Sequence, residues 1–403
     1  MLNKNNFFIN QSLNSKLINH NLKKTKKIFN LFRSDLKNDK IPLFNSYEKK
    51  YNFSFSKNLI KKCSKYQNII IIGIGGSILG AKAIKSFFRE KVKKNFFFFD
   101  NLDNNLIANY KKIKNLKNSC FIIVSKSGNT LEVVTNLSLI LSKSILKNKL
   151  IFITENKNSI LQNLAKRFNA EVIEHKEFIG GRYAVLSEVG MLPAALMGLS
   201  IKSFKNLKNL INNKKFISSL LYDVACIYTL QQKNIRNSAL ISFNSRLNDL
   251  CFWYQQLVGE SLGKNGKGIT PTVSFGPKDL HSVLQLFLDG PKDKFFTFFS
   301  SEEKREKYKI GRNIISKNVH FLKNKSLEDV INAQLEATKI VFKSKKIPFR
   351  HIIFKNNNES ELGRVITFFV LETILLSRLM TVNPFNQPAV ELVKKETKKI
   401  LLS

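Results

Sequence analysis

No stretch of this chain reaches the ~20 consecutive apolar residues of a membrane-spanning helix. The nearest, 362–380, is broken by Arg364, Glu372 and Arg378. Residues 1–6 have neither the apolar core of a secretory signal nor the arginines of a transit peptide, which sets the expectation of a cytoplasmic protein with no membrane partner. Cysteine is scarce. The four (Cys63, Cys120, Cys226 and Cys251) show no C-x-x-C spacing, which argues against a disulfide framework or a zinc site and suits a reducing compartment. The five histidines are dispersed, so no metal cluster is visible. Acidic residues are also few, 29 against 67 basic ones, for a formal charge of +38. Such an excess invites a nucleic-acid partner. However, the basic residues are spread along the whole chain, and arginine, the preferred reader of bases, is much rarer than lysine. Abundant Lys, Asn, Ile and Phe fit an A/T-rich coding bias better than a specific nucleic-acid surface. A basic surface of this kind raises encounter rates with an anionic substrate at low salt.

What is present is an alternating pattern. The 403 residues, 43% hydrophobic, suffice for two domains. Residues 1–65 are polar and read as a helical segment packed on the first domain. Short apolar strands are predicted at 69–74, 96–99, 121–124, 150–154 and 171–173, with helices at 81–88, 131–142 and 160–168 between them. The phenylalanine run 96–99 reads as a fully buried strand. A helical region over 187–232 follows. Strands then resume at 239–243, 272–275, 295–299 and 351–354, accompanied by helices at 327–342 and 362–380. The pattern predicts an α/β fold of two doubly wound, mainly parallel sheets joined by helices. The expected boundaries are 66–200 and 236–381 for the two sheet domains and 201–235 for the connecting helices. A C-terminal helix, 382–403, returns to the active site.

The densest polar feature follows the 121–124 run: Ser125-Lys126-Ser127-Gly128-Asn129-Thr130. Three hydroxyls and an ammonium at the carboxyl end of a buried strand, opening onto a helix, favour a bound anion, most naturally a phosphate. A glycine cluster, 73–80, follows the first strand, where Gly76 and Ser77 let backbone and hydroxyl approach a ligand. It is not a good dinucleotide fingerprint, because Ile78 occupies the third glycine position, and the Walker spacing is absent. Other groups are weaker singly. Arg182 after Gly180-Gly181 reads as a solvated arginine on a surface turn. A helix ending near Gly259 leaves Glu260 at the start of a glycine-rich loop, suited to general-base work but equally a solvated carboxylate. His281 reads as a cap or packing residue with a proton to offer. Lys394 lies beside the apolar stripe of Val390, Val393, Thr397 and Ile400. Together, a phosphate pocket, a carboxylate, an arginine, a histidine and a lysine with no metal cluster suit proton transfer on a sugar phosphate.

Six blocks in order carry a resemblance: IIGIGGSILG, VSKSGNT, GGRYAVLSEVGMLP, WYQQLVGESLGKNGKGITP, DLHSVLQLFLDG and NPFNQPAVELVKK. They span 71–395, and the chain resembles the glucose-6-phosphate isomerase family within the sugar-isomerase-domain superfamily. The resemblance implies an aldose–ketose isomerase of glycolysis and gluconeogenesis. It would interconvert glucose 6-phosphate and fructose 6-phosphate through a cis-enediol(ate), without cofactor or metal. By position, Gly76, Ser77, Ser125, Lys126, Ser127 and Thr130 would hold the phosphate, and Gln256 and Gln387 would line the pocket. His281 and Lys394 would open the ring, Glu260 would move the proton, and Arg182 would stabilise the intermediate. The resemblance further implies a homodimer in which His281 comes from the neighbouring subunit. Action on mannose 6-phosphate as well, and a non-catalytic sugar-phosphate sensor, remain the alternative readings.

Overall fold

Runs of apolar residues with no polar alternation cannot lie on a half-exposed surface, and in this chain they become the centres of two parallel sheets. The structure is a computed structural model and describes all residues except 1–6, 9–14, 114–115, 141–148, 303–307, 312 and 314. In chain order the strands are β1 (Phe7–Phe8), β2 (Asn68–Ile72), β3 (Asn95–Phe99), β4 (Ser119–Val124), β5 (Lys149–Thr154), β6 (Glu171–Glu174), β7 (Asn237–Ser242), β8 (Thr270–Phe275), β9 (Lys294–Ser301) and β10 (Phe349–Phe354). The helices are α1 (Ser15–Lys37), α2 (Lys57–Ser64), α3 (Leu79–Phe87), α4 (Asn104–Lys111), α5 (Leu131–Ile140), α6 (Ile160–Arg167), α7 (Glu188–Leu196), α8 (Leu207–Asn212), α9 (Lys214–Gln232), α10 (Asn248–Leu262), α11 (Leu280–Asp289), α12 (Leu327–Ser344), α13 (Glu359–Leu379) and α14 (Val390–Leu402). The last two residues of the helix predicted over 131–142 lie outside the described residues.

The first sheet has the order β3-β2-β4-β5-β6 and is parallel throughout. The second has the order β1-β10-β9-β7-β8, parallel except for the short β1, which pairs antiparallel to β10. Every residue of β2 and β4 is buried. The run 96–99 differs from its expectation. As β3 it is the edge strand, and only Phe99 is buried, while Phe96, Phe97 and Phe98 are half-covered. The N-terminal segment packs in two places. Its long helix α1 packs on α9 and α13, with Asn21 Nδ2 donating to Thr229 Oγ1 at 2.9 Å, whereas α2 reaches α7.

One large apolar cluster joins the inner faces of both sheets through α1, α7, α9, α10 and α13. Within it, Arg350 of β10 is 1% exposed and is held between Glu372 of α13 and Asp223 of α9. The cation is satisfied there by two carboxylates, Thr297 Oγ1 and the Tyr254 hydroxyl.

This topology positions the site. In the first sheet the chain leaves β2 for β3 on one side and then crosses to β4 on the other. The switch point therefore lies between the carboxyl ends of β2 and β4, where open α/β sheets bind ligands. The glycine cluster follows β2, and the Ser125–Thr130 segment follows β4.

Candidate active site

After β4 the backbone turns at once. Ser125 is buried, and its Oγ accepts the Gly128 N–H at 3.1 Å and lies 2.7 Å from Thr130 Oγ1. Gly128 adopts a φ of 69°, and a Cβ there would lie 2.2 Å from Ser159 Oγ, so the tight turn requires glycine. The turn leaves the Ser127 side chain exposed above the start of α5, with its Oγ accepting from the Asn129 N–H at 3.2 Å. The Lys126 ammonium donates to the Glu177 carbonyl at 2.7 Å and stands 3.5 Å from the Glu155 carboxylate.

The loop after β2 forms a short 3-10 turn, Gly75–Ser77, placing Ser77 at the mouth of α3. Two glycines here allow close approach. Gly75 has a φ of 54°, and a Cβ on it would meet Gln256 Nε2 at 2.8 Å. A Cβ on Gly76 would lie 2.2 Å from the carbonyl carbon of Gly181. The first loop therefore touches both the helix that carries the candidate base and the segment that carries Arg182.

Arg182 is not solvated. It is 2% exposed, and its guanidinium donates five hydrogen bonds. Nε reaches Ser261 Oγ at 2.8 Å, and Nη1 reaches Glu260 Oε2 at 2.8 Å and Gln387 Oε1 at 2.9 Å. Nη2 donates to the carbonyls of Pro384 and Asn386. Two distant parts of the chain, the end of α10 and residues 384–387, thus converge on one planar cation, which suits arginine's fixed fork of donors. The Tyr183 hydroxyl lies 2.8 Å from Ser261 Oγ and donates to the Pro384 carbonyl at 2.9 Å, and Trp253 Nε1 donates to the Arg182 carbonyl at 3.1 Å.

Glu260 does not begin a loop. α10 continues through Gly259 to Leu262, so the carboxylate projects from the helix's last turn and is about a third exposed. Its second oxygen accepts from Gln256 Nε2 at 2.9 Å, one helical turn earlier. Glu260, Gln256, Arg182 and Gln387 therefore form one hydrogen-bonded set. It adjoins the glycine loop of the first sheet through the Gly75–Gln256 and Gly76–Gly181 contacts.

His281 and Lys394 lie apart from that set. His281 is exposed near the start of α11, at the rim of an apolar groove of about 340 Å³ between α11 and α12. Lys394 is exposed on α14 and pairs with Glu391 at 2.6 Å. The apolar stripe expected beside it is present in the sequence but uncovered. α14 has no buried residue, and Val390, Val393 and Ile400 face solvent. Sequence reasoning missed Ser261, Tyr183 and the Pro384 and Asn386 carbonyls as Arg182's anchors. A serine beside a glutamate and two backbone oxygens carry no signal of their own. No group of three or more metal-ligating side chains occurs among the described residues.

A family model described as phosphoglucose isomerase matches residues 57–403. Among curated relatives, the glucose-6-phosphate isomerase of Methanocaldococcus jannaschii is 33% identical over 345 residues, covering 83% of this chain and 84% of that protein. That of Campylobacter jejuni is 31% identical over 355 residues, covering 84% and 86%. Two solved structures share the fold. The hypothetical protein TT0462 from Thermus thermophilus superposes with a TM-score of 0.80 at 24% identity, covering 98% of this chain and all of that one. A glucose-6-phosphate isomerase from Chlamydia trachomatis superposes with a TM-score of 0.71 at 20% identity, covering 85% and 71%. With its parallel sheets, its polar turn at the switch point and a family match over most of its length, this chain belongs to the phosphoglucose isomerase family.

Proposed function

We propose that this protein interconverts glucose 6-phosphate and fructose 6-phosphate, with Glu260 as the base. The observation that carries the mechanism is the Glu260 carboxylate held between Arg182 at 2.8 Å and Gln256 at 2.9 Å beside a hydroxyl-rich turn. In the open-chain sugar, Glu260 takes the proton from C2 and returns it to C1. The proton of the C2 hydroxyl passes to the C1 oxygen, so the C1 aldehyde becomes a hydroxyl and the C2 hydroxyl a carbonyl, no electron leaves the substrate and no redox partner is needed. The enediolate oxygen that carries charge in between needs a fixed cation beside it, and the buried Arg182 guanidinium supplies one, an Nη1 N–H being freed for the substrate when Glu260 or Gln387 turns to the sugar. Ser77, Ser125, Ser127 and Thr130, with Gly76 and a Lys126 released from Glu177, hold the phosphate. Gln387 borders the sugar.

The ring-opening pair is completed by a second copy. His281 and Lys394 both sit on exposed elements, and each adjoins apolar surface in need of cover: the α11–α12 groove in one case, and Leu392, Val393, Ile400 and Leu401 in the other. A homodimer in which one subunit's His281 faces the other's Lys394 covers both. Four buried, free cysteines suit a reducing cytoplasm, and among the described residues no helix is long and apolar enough to cross a membrane.

Turnover of fructose 6-phosphate, followed by a coupled dehydrogenase assay, tests the base. Glu260→Gln should abolish turnover while leaving sugar-phosphate binding within a few-fold. Full activity in that variant moves the base elsewhere. Mixing inactive Glu260→Gln with inactive His281→Ala subunits tests the shared site, because a hybrid dimer contains one intact site. Recovery of activity supports the partner's His281, and no recovery from a verified hybrid removes it.

A further inference from the structure

The turn that follows the candidate base has a construction of its own. α10 ends at Leu262, and Gly263 returns its N–H to the Gly259 carbonyl at 3.0 Å. The chain then reverses in a two-residue hairpin. Lys264 and Lys267 exchange both backbone hydrogen bonds, at 3.0 and 2.9 Å, around Asn265 and Gly266, whose φ values are 54° and 68°. Positive φ at both central residues is the Asn-Gly type I′ turn. The hairpin brings the Lys264 side chain back beneath the helix. Its ammonium donates to the Glu260 carbonyl at 2.6 Å and to the Ser261 carbonyl at 2.8 Å. These are two of the carbonyls that a helix end leaves without intrahelical partners. They belong to the residue that carries the candidate base and to the residue that anchors Arg182.

We infer that Lys264 is a positioning residue for the isomerisation: its ammonium fixes the last turn of α10 and so sets the Glu260 carboxylate and the Ser261 hydroxyl relative to Arg182. The inference rests on the reading of Glu260 as the base. A helix end held only by its own hydrogen bonds frays, whereas a cation on the terminal carbonyls also offsets the negative end of the helix dipole. A lysine that only satisfied carbonyls would affect stability alone. Lys264 also lies in the field of the site. Its pKa is lowered to about 8, chiefly by burial and then by the positive Arg182, with Glu260 opposing. The other charged side chain of the hairpin, Lys267, is turned away, donating to the Met380 carbonyl and to Thr381 Oγ1. Loss of the Lys264 proton weakens its charge-assisted bonds to both carbonyls. Turnover therefore falls as pH rises through about 8.

The test is kcat and KM for fructose 6-phosphate against pH in the parent, Lys264→Met and Lys264→Arg, with Glu260→Gln alongside. Lys264→Met is expected to lower kcat about tenfold or more with KM changed less than about twofold, because the phosphate turn stands on other residues. Lys264→Arg, which keeps its charge, is expected to recover most of kcat and to move the alkaline limb up by about a unit or more. Parental kcat in Lys264→Met, or an alkaline limb that stays near 8 in Lys264→Arg, overturns the inference. Where Lys264→Met does not fold, the limb in Lys264→Arg decides. An active Glu260→Gln removes the base and this inference with it. An inactive Glu260→Gln beside a fully active Lys264→Met removes the inference alone.

Discussion

Replacing Arg182 by lysine keeps a positive charge and removes the fork, which makes it a sharp probe of how the site is held. The guanidinium makes five hydrogen bonds, to Ser261, Glu260, Gln387 and two backbone carbonyls. An ammonium has three donors, so at least two of these bonds are lost. Each orphaned polar group costs about 1–3 kcal/mol when buried. The buried Pro384 carbonyl and Ser261 keep the Tyr183 hydroxyl as a partner, while Glu260, a third exposed and still bonded to Gln256, is partly rescued by water. A cost of about 1–2 kcal/mol follows, read as a lowered urea midpoint at unchanged m-value. The kinetic effect should be larger. Loss of one pre-organised donor to a developing oxyanion costs about 10²–10³ in kcat. KM for fructose 6-phosphate should stay within a few-fold, since the phosphate turn is built on Ser125, Thr130 and Gly128 without Arg182. A tenfold rise in KM with kcat intact would refute the assignment and make Arg182 a phosphate ligand.

Gly76→Ala tests the contact between the glycine loop and the Arg182 segment. Its Cβ would stand 2.2 Å from one backbone carbon and 2.5 Å from the Arg182 nitrogen, so both loops must shift. A destabilisation of about 1–3 kcal/mol and a clear loss of kcat are expected, checked by urea unfolding and the coupled assay. Lys205 gives a prediction remote from the chemistry. Its ammonium is buried over Phe53 and Tyr51 at 3.9 and 4.3 Å, and burial lowers its pKa to about 7, with Glu188 opposing. The folded state therefore binds fewer protons than the unfolded chain between about pH 7 and 10.5, so stability rises with pH across that window. Urea midpoints should show this slope in the parent and lose it in Lys205→Met. That variant should also be the more stable below pH 7.

Central strands were legible because a run such as 121–124 has only one use, burial on both faces. The run 96–99 reads identically in isolation, and only its place at the sheet edge leaves three of its four rings half-covered. Such a place is a property of strand order, which no local pattern contains. The end of α10 was misplaced because glycine usually stops a helix, whereas Gly259 sits within one at a cost of up to about 1 kcal/mol and Gly263 ends it. The polar turn after β4 was visible because its donors are contiguous. Arg182 was ambiguous for the opposite reason. Its partners lie 78 to 205 residues away, and three of the five are backbone oxygens or a serine hydroxyl.

The second sheet holds a crevice of the same kind as the one proposed for the phosphate. There the chain leaves β7 for β8 on one side and crosses to β9 on the other, so a switch point of the same kind opens above Ser242. The residues that follow, Phe243, Asn244, Ser245 and Arg246, include polar groups as suitable for an anion as those after β4. Several of their polar atoms are engaged within the protein. Ser242 Oγ donates to the Asn244 carbonyl, and Asn244 Oδ1 accepts from the Arg246 N–H at 3.0 Å. Ser245 Oγ accepts from Arg89 at 2.9 Å, and the Arg246 guanidinium is paired with Glu90. Arg89 and Glu90 belong to the first half of the chain, immediately beyond α3. The crevice is therefore used as a joint between the halves, and its cation is neutralised by a carboxylate. In the first sheet the turn after β4 makes its bonds within its own half, Ser127 Oγ accepting from Asn129 and Lys126 donating to the Glu177 carbonyl. The same topology thus serves the proposed anion seat in one half and a tie between the halves in the other. What separates them is whether the groups at the switch point are tied to the other half of the chain or only within their own. Replacing Glu90 with glutamine tests this directly. It should loosen the joint, lowering the urea midpoint by about 1–3 kcal/mol, without creating a second sugar-phosphate site, because the hydroxyl and amide groups remain occupied. A second equivalent of sugar phosphate in titration calorimetry of that variant would show that charge pairing alone had kept an anion out of the crevice, a cavity of about 890 Å³.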